Sequence, residues 1–260
     1  MRTSRPSIGE LRAATQPPAL FERNSGEHWA GRLYMRRLSP YLTRSLLRTP
    51  ATPNGVTWSM IATGLLAAFL LTLPGVLPAV GAVVLIQLQL LLDCSDGELA
   101  RWQQRLSPVG VYLDRIGHYL TETALPIALG IRADGGWDSI GGWTTLGLVV
   151  AVLVLLVKSE TVLVHVARAE SGKPVVRDAE EVAAPRAGGL RRLRRAAGML
   201  PFYRAFVAME ATLLALAAAL ADAIVGELGA TRVLVLALVP VAAITAAGHL
   251  FAILASSRLR

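Results

Sequence analysis

Long uncharged runs set the pattern of this chain. Gly55–Leu73 carries no charge, and Leu77–Leu92 is apolar until it meets an acidic patch. Val111–Ile131 is apolar apart from Asp114, Arg115, His118 and Glu122. Leu146–Val157 extends through Lys158 to His165. Ala205–Ala221 contains Glu210, and Val233–Leu254 has no charge. Each run approaches the ~20 residues needed to cross a bilayer. The pattern predicts an all-α integral membrane protein with six transmembrane helices, so that both termini lie on one side. Upstream, Trp29–Leu47 alternates differently: Trp29, Leu33, Met35, Leu38, Tyr41, Leu42 and Leu46 stand against Arg32, Arg36, Arg37, Arg44 and Arg48. That stretch predicts an amphipathic helix lying at the membrane interface.

Basic residues give the orientation. The first fifty residues hold nine Arg, and no apolar run follows the basic start, so no secretory signal peptide is expected. The loop after the second run has Arg101 and Arg105, Arg168–Arg195 has eight basic residues, and the tail adds Arg258 and Arg260. The alternate loops carry Arg132 and Arg232 alone. Twenty-one against two puts both termini in the cytoplasm of a multi-pass protein of the cell membrane. The expected organisation is a basic cytoplasmic segment over 1–50, a six-helix domain over 51–255 and a short tail over 256–260.

Composition agrees. The chain of 260 residues is 53% hydrophobic and 17% charged, against about 25% charged in soluble domains, and its mean hydropathy is +0.50. Disorder, collagen-like sequence and a disulfide scaffold are excluded, and Cys94 alone forms no internal disulfide. The net charge of +8 suits loops facing an anionic leaflet, and no nucleic-acid partner is expected.

The chemistry lies where charge enters the apolar runs, because charge there is costly and marks function. Asp93, Asp96, Gly97 and Ala100 share one helical face at the end of the second run. Gly110, Asp114, His118 and Glu122 repeat every four residues in the third. These helices run in opposite directions, so Asp93/Asp96 and Asp114/His118 are expected at similar depth near the cytoplasmic surface. Converging carboxylates need cations, and hard oxygen ligands suit Mg²⁺, Mn²⁺ or Ca²⁺. Arg101 suits a phosphate oxygen, while Gly97 and Gly110 let a bulky ligand approach the backbone.

Asp93-x₂-Asp96-Gly97-x₂-Ala100-Arg101-x₈-Gly110-x₃-Asp114 resembles the signature of the CDP-alcohol phosphotransferase (CDP-alcohol phosphatidyltransferase) family. Pro53-Asn54-Gly55-Val56-Thr57 resembles the segment before that family's first span, and the likeness covers roughly residues 29–255. The resemblance implies a transferase of the 2.7.8 class in phospholipid biosynthesis. A CDP-alcohol such as CDP-diacylglycerol would pass its phosphoryl-alcohol part to an acceptor hydroxyl, releasing CMP. Polyol and inositol phosphates are among the implied acceptors. It further implies that Asp93, Asp96 and Asp114 hold two Mg²⁺ or Mn²⁺ ions, that Gly97, Ala100, Arg101 and Gly110 form the CDP pocket with Asn54 and Thr57 at its edge, and that the protein is a homodimer in the bilayer.

One position departs from the family. The signature's fourth Asp, its expected base and a metal neighbour, is replaced by His118. With an ordinary pKa near ~6.5, His118 can take a proton or ligate metal. Glu122, one turn deeper, is expected to orient His118, to replace the missing carboxylate, or to join helices by a hydrogen bond. Two further readings fit parts of the pattern: a catalytically inactive nucleotide-binding homologue, and a metal-ion transporter.

Overall fold

In the computed structural model of the chain, residues 6–17, 28–173 and 202–256 are described. The basic run Arg191–Arg195, the Lys173–Pro174 junction beyond Lys173, and the tail beyond Ser256 lie outside them. All regular elements among the described residues are helices: α1 (Ile8–Thr15), α2 (Arg36–Leu46, continuing a π-helical turn Gly31–Met35), α3 (Pro53–Leu71), α4 (Val76–Gln103), α5 (Pro108–Asp134), α6 (Gly142–Glu170), α7 (Ala208–Val225) and α8 (Gly229–Leu254). Five of them, α3, α4, α6, α7 and α8, are long and apolar enough to cross a membrane, which makes this a multi-pass integral membrane protein. The sixth expected span, α5, has 27 residues and reaches about 40 Å. Its apolar character is broken by the charges from Asp114 to Asp134.

The chain divides into two compact units. One holds residues 1–67 and 84–121; the other holds 68–83 and 122–260.

In the first unit the helix starts are written in the sequence. Ser7 and Glu10 form a reciprocal capping box on α1, with Ser7 N–H donating to Glu10 Oε2 at 2.6 Å and Glu10 N–H to Ser7 Oγ at 3.1 Å. The backbone and hydroxyl bonds from Ser7 hold the Glu10 carboxyl below its ordinary pKa. Pro53 opens α3, and Thr52 Oγ1 accepts from Gly55 N–H at 3.1 Å. Pro108 opens α5, with Ser107 Oγ accepting from Gly110 N–H at 3.1 Å.

Helix α2 packs a narrow stripe of small residues inward and leaves apolar residues outward. A π-helix, Gly31–Met35, leads into it, and the buried stripe along the two is Gly31, Met35, Ser39 and Thr43. Of the apolar residues expected to act together, Met35 is buried, while Leu33, Leu38 and Tyr41 remain exposed. The small polar stripe packs inward because its hydroxyls find an acceptor, as described below. Pro40 lies within α2 and has no N–H to offer the carbonyl four residues back. That carbonyl, Arg36 O, instead accepts from Gln16 Nε2 at 2.8 Å.

In the second unit, two aspartates at helix ends each cap the next helix. Asp134 accepts from Gly141 N–H and Thr144 N–H, both at 2.8 Å, at the start of α6. Asp222 accepts from Ala230 N–H at 2.7 Å and from the Thr231 hydroxyl at the start of α8. The two arginines that stood alone in alternate loops are bonded to carbonyls. Arg132 is fully buried and donates to Leu73 O at 2.6 Å and Gly75 O at 2.8 Å. Arg232 donates to Ala133 O at 3.1 Å. Helices α5 and α6 cross closely at Gly147, where a Cβ would come within 2.4 Å of Pro126 O.

Candidate metal and nucleotide site

The acidic motif sits on the last three turns of α4 and the first three of α5, all within the first unit. The i, i+4 spacing on α5 puts Asp114 and His118 on one face. His118 Nε2 lies 3.2 Å from Asp93 Oδ1 and 3.5 Å from Asp114 Oδ1. The donor atoms of Asp93, Asp114 and His118 all fall within 4.8 Å of one another. Two carboxylate oxygens and an imidazole nitrogen converging this closely form a donor set that fits a divalent ion of the Mg²⁺ or Mn²⁺ kind. All three side chains are partly exposed, so the cluster is open to ligand.

Asp96, one turn beyond Asp93, stands differently. It is buried, and its Oδ2 accepts the Thr57 hydroxyl at 2.6 Å. Thr57, expected at the edge of a nucleotide pocket, is itself buried on α3 and orients this carboxylate. Asp96 lies outside the three-residue cluster because its oxygen is turned to α3. Asn54 Oδ1 lies 3.3 Å from where a Cβ on Gly110 would sit, so the missing side chain allows the approach of α3 to α5. Ala100 is buried on α4.

Arg101 lies over Gly97. A Cβ there would meet Nη1 at 3.2 Å and Nη2 at 3.3 Å, so the glycine makes room for the guanidinium. Arg101 Nε donates to Thr15 O at 2.6 Å, at the end of α1.

Glu98 was not singled out by sequence reasoning. It is fully buried. Its Oε1 accepts from Ser39 Oγ at 2.5 Å and Gln16 Nε2 at 2.8 Å, and its Oε2 accepts from Thr43 Oγ1 at 2.7 Å. Arg36 Nη1 stands 3.9 Å away. The carboxylate between Gly97 and Leu99 thus fastens α2 to the motif helix. The signal available in sequence was a charged residue in an otherwise buried turn.

Of the roles expected of Glu122, the structure shows the joining of helices: it pairs across to α6, with Lys158 Nζ at 2.7 Å in the second unit. The pair borders a cavity of about 170 Å³ lined by Val157, Phe206 and Thr245 among others. Glu160 is buried, with Oε2 unbonded, and His249 Nε2 on α8 meets Thr161 Oγ1 on α6 at 3.0 Å.

Comparison with known proteins bears on this geometry. Over 118 residues, 45% of this chain, the sequence is 33% identical to a bifunctional IPC transferase and DIPP synthase of Aquifex aeolicus (strain VF5). Over 101 residues it is 37% identical to an archaetidylinositol phosphate synthase of Aeropyrum pernix. The chain spans a quarter of the length of the first relative and half of the second. The family described as CDP-alcohol phosphatidyltransferase is matched over residues 51–255, most of the chain. With its aspartates gathered on α4 and α5, the chain belongs to the CDP-alcohol phosphatidyltransferase family.

Proposed function

We propose that the protein transfers a phosphoryl-alcohol group, phosphatidyl in the first instance, from a CDP-alcohol such as CDP-diacylglycerol to an acceptor hydroxyl, releasing CMP. The observation that carries this reading is the convergence of Asp93, Asp114 and His118 within 4.8 Å inside the family's signature. The names of the relatives, one an archaetidylinositol phosphate synthase, favour an inositol phosphate or similar polyol phosphate as acceptor.

On this reading Asp93, Asp96 and Asp114 would hold two divalent ions, Mg²⁺ or Mn²⁺, while His118 Nε2 beside them keeps its lone pair for a proton. When bound, those ions supply neutralisation of the pyrophosphate bridge as charge develops on departing CMP. Gly97, Ala100, Arg101 and Gly110 receive the nucleotide, with Asn54 at the edge and Thr57 behind it, holding Asp96. The acceptor oxygen attacks the phosphorus that carries the alcohol. The bond from that phosphorus to the CMP oxygen breaks, and the acceptor proton passes to His118 Nε2, which stands in for the family's carboxylate base. The six-helix domain over 51–255 would face cytosolic substrates with both termini cytoplasmic, in the plasma membrane and as a homodimer.

A panel of acceptors tests the substrate class. Purified protein with Mg²⁺ and CDP-diacylglycerol should release CMP with inositol phosphate and not with an amino alcohol. Release with the amino alcohol alone would reject a polyol phosphate acceptor.

A further inference from the structure

Helix α1 is too short to persist alone, since isolated helices of this length are marginal. It is held by contacts to the motif region. Leu11 is fully buried. Arg12 Nη2 donates to Arg37 O at 3.0 Å, and Gln16 Nε2 bridges Arg36 O and Glu98 Oε1, both at 2.8 Å. The last carbonyls of a helix lack partners within it and carry the negative end of its dipole. Thr15 O is one of them, and it takes Arg101 Nε at 2.6 Å. A guanidinium is a planar fork, so fixing Nε fixes the plane. The two terminal nitrogens are thereby set over Gly97, within 3.3 Å of the space its absent side chain leaves.

We propose that residues 7–16 form a clip that presets Arg101 for a nucleoside diphosphate: Thr15 O holds Nε, Gln16 ties the clip to Glu98, and Nη1 and Nη2 are left to meet phosphate oxygens. Thr15, Gln16 and Leu11 are positioning residues; Arg101 is the group that touches ligand. The inference rests on the nucleotide reading given above. A preset fork loses less side-chain freedom on binding than a mobile one. Releasing the clip should therefore weaken nucleotide binding while leaving the reacting groups in place.

The test uses the full chain in detergent or nanodiscs. CDP affinity is read by calorimetry, KM and kcat by CMP release, and clip release by the rate of tryptic cleavage after Arg12. Leu11→Asp should expose Arg12 to trypsin, raise the Kd for CDP and the KM for the CDP-alcohol about tenfold, and leave kcat within about twofold. Gln16→Ala should do the same to a smaller extent, and Leu11→Met should behave as wild type. A Leu11→Asp protein whose Arg12 is cleaved quickly, but whose CDP affinity is unchanged, would overturn the clip alone. A wild-type protein that keeps Arg12 protected and binds no CDP would overturn the nucleotide reading, and the clip with it.

Discussion

Replacing Glu98 separates the role of its charge from that of its shape. In Glu98→Ala, the hydroxyls of Ser39 and Thr43 lose their acceptor at 2.5 and 2.7 Å, and both side chains are fully buried. Gln16 loses one of its two bonds. Orphaning a buried donor costs about 1–3 kcal/mol. Each hydroxyl can turn back to the carbonyl four residues earlier in α2 and recover part of that, so the expected cost of opening α2 is about 3–4 kcal/mol in total. Glu98→Gln keeps a carbonyl oxygen in the same place and should cost about 1 kcal/mol. Hydrogen exchange of the α2 amides reads this opening directly. Protection over residues 36–46 should fall about 10²–10³-fold in Glu98→Ala and about fivefold in Glu98→Gln. Wild-type protection in Glu98→Ala would refute the claim that this carboxylate fastens α2. Equal losses in both variants would show that charge, and not an acceptor oxygen, is what α2 requires.

Three further outcomes are expected. His118→Ala should lose about 10²–10⁴-fold in CMP release, while His118→Asp, which restores the family's carboxylate, should keep measurable turnover; a wild-type rate in His118→Ala would assign the base elsewhere. Gly147→Ala sets a Cβ 2.4 Å from the backbone oxygen of Pro126, which can yield only by shifting α5 from α6, at a cost of about 1–3 kcal/mol; an unchanged unfolding temperature would contradict that close crossing. Cysteines introduced near residues 136 and 227 should label from outside intact cells and one near 185 should not, and labelling at 185 would reverse the proposed orientation.

The sequence carried the parts of this architecture that repeat locally. Uncharged runs mark α3, α4, α6, α7 and α8, and the i, i+4 interval alone aligns Asp114 with His118. What it could not carry are pairings without a period. Ser39 and Glu98 are 59 residues apart, and no alternation links them, so the binding of α2 to the motif helix stayed invisible. The amphipathic pattern of α2 does not show which residues pack on the protein: the buried stripe includes Ser39 and Thr43, whose hydroxyls have Glu98 to donate to. Helix α1 has eight residues and its capping box passes for a surface turn. Glu122 was placed by its interval from His118, but its partner is Lys158, set by the packing of α5 against α6 and by no spacing along the chain. Arg132 and Arg232 counted as loop charges, although both are bonded to carbonyls.

On the proposed function, carboxylates converging from α4 and α5 make this chain a metal-dependent phosphotransferase. The most direct measurement is CMP release by purified protein from CDP-diacylglycerol with inositol phosphate, in Mg²⁺ and after chelation, for wild type and for Asp93→Asn. Release is expected in Mg²⁺, none in chelator, recovery when Mg²⁺ or Mn²⁺ is returned, and a loss of several orders of magnitude in Asp93→Asn, since the charge clamp supplies several kcal/mol. CMP release that survives chelation, or an Asp93→Asn protein as active as wild type, would contradict it.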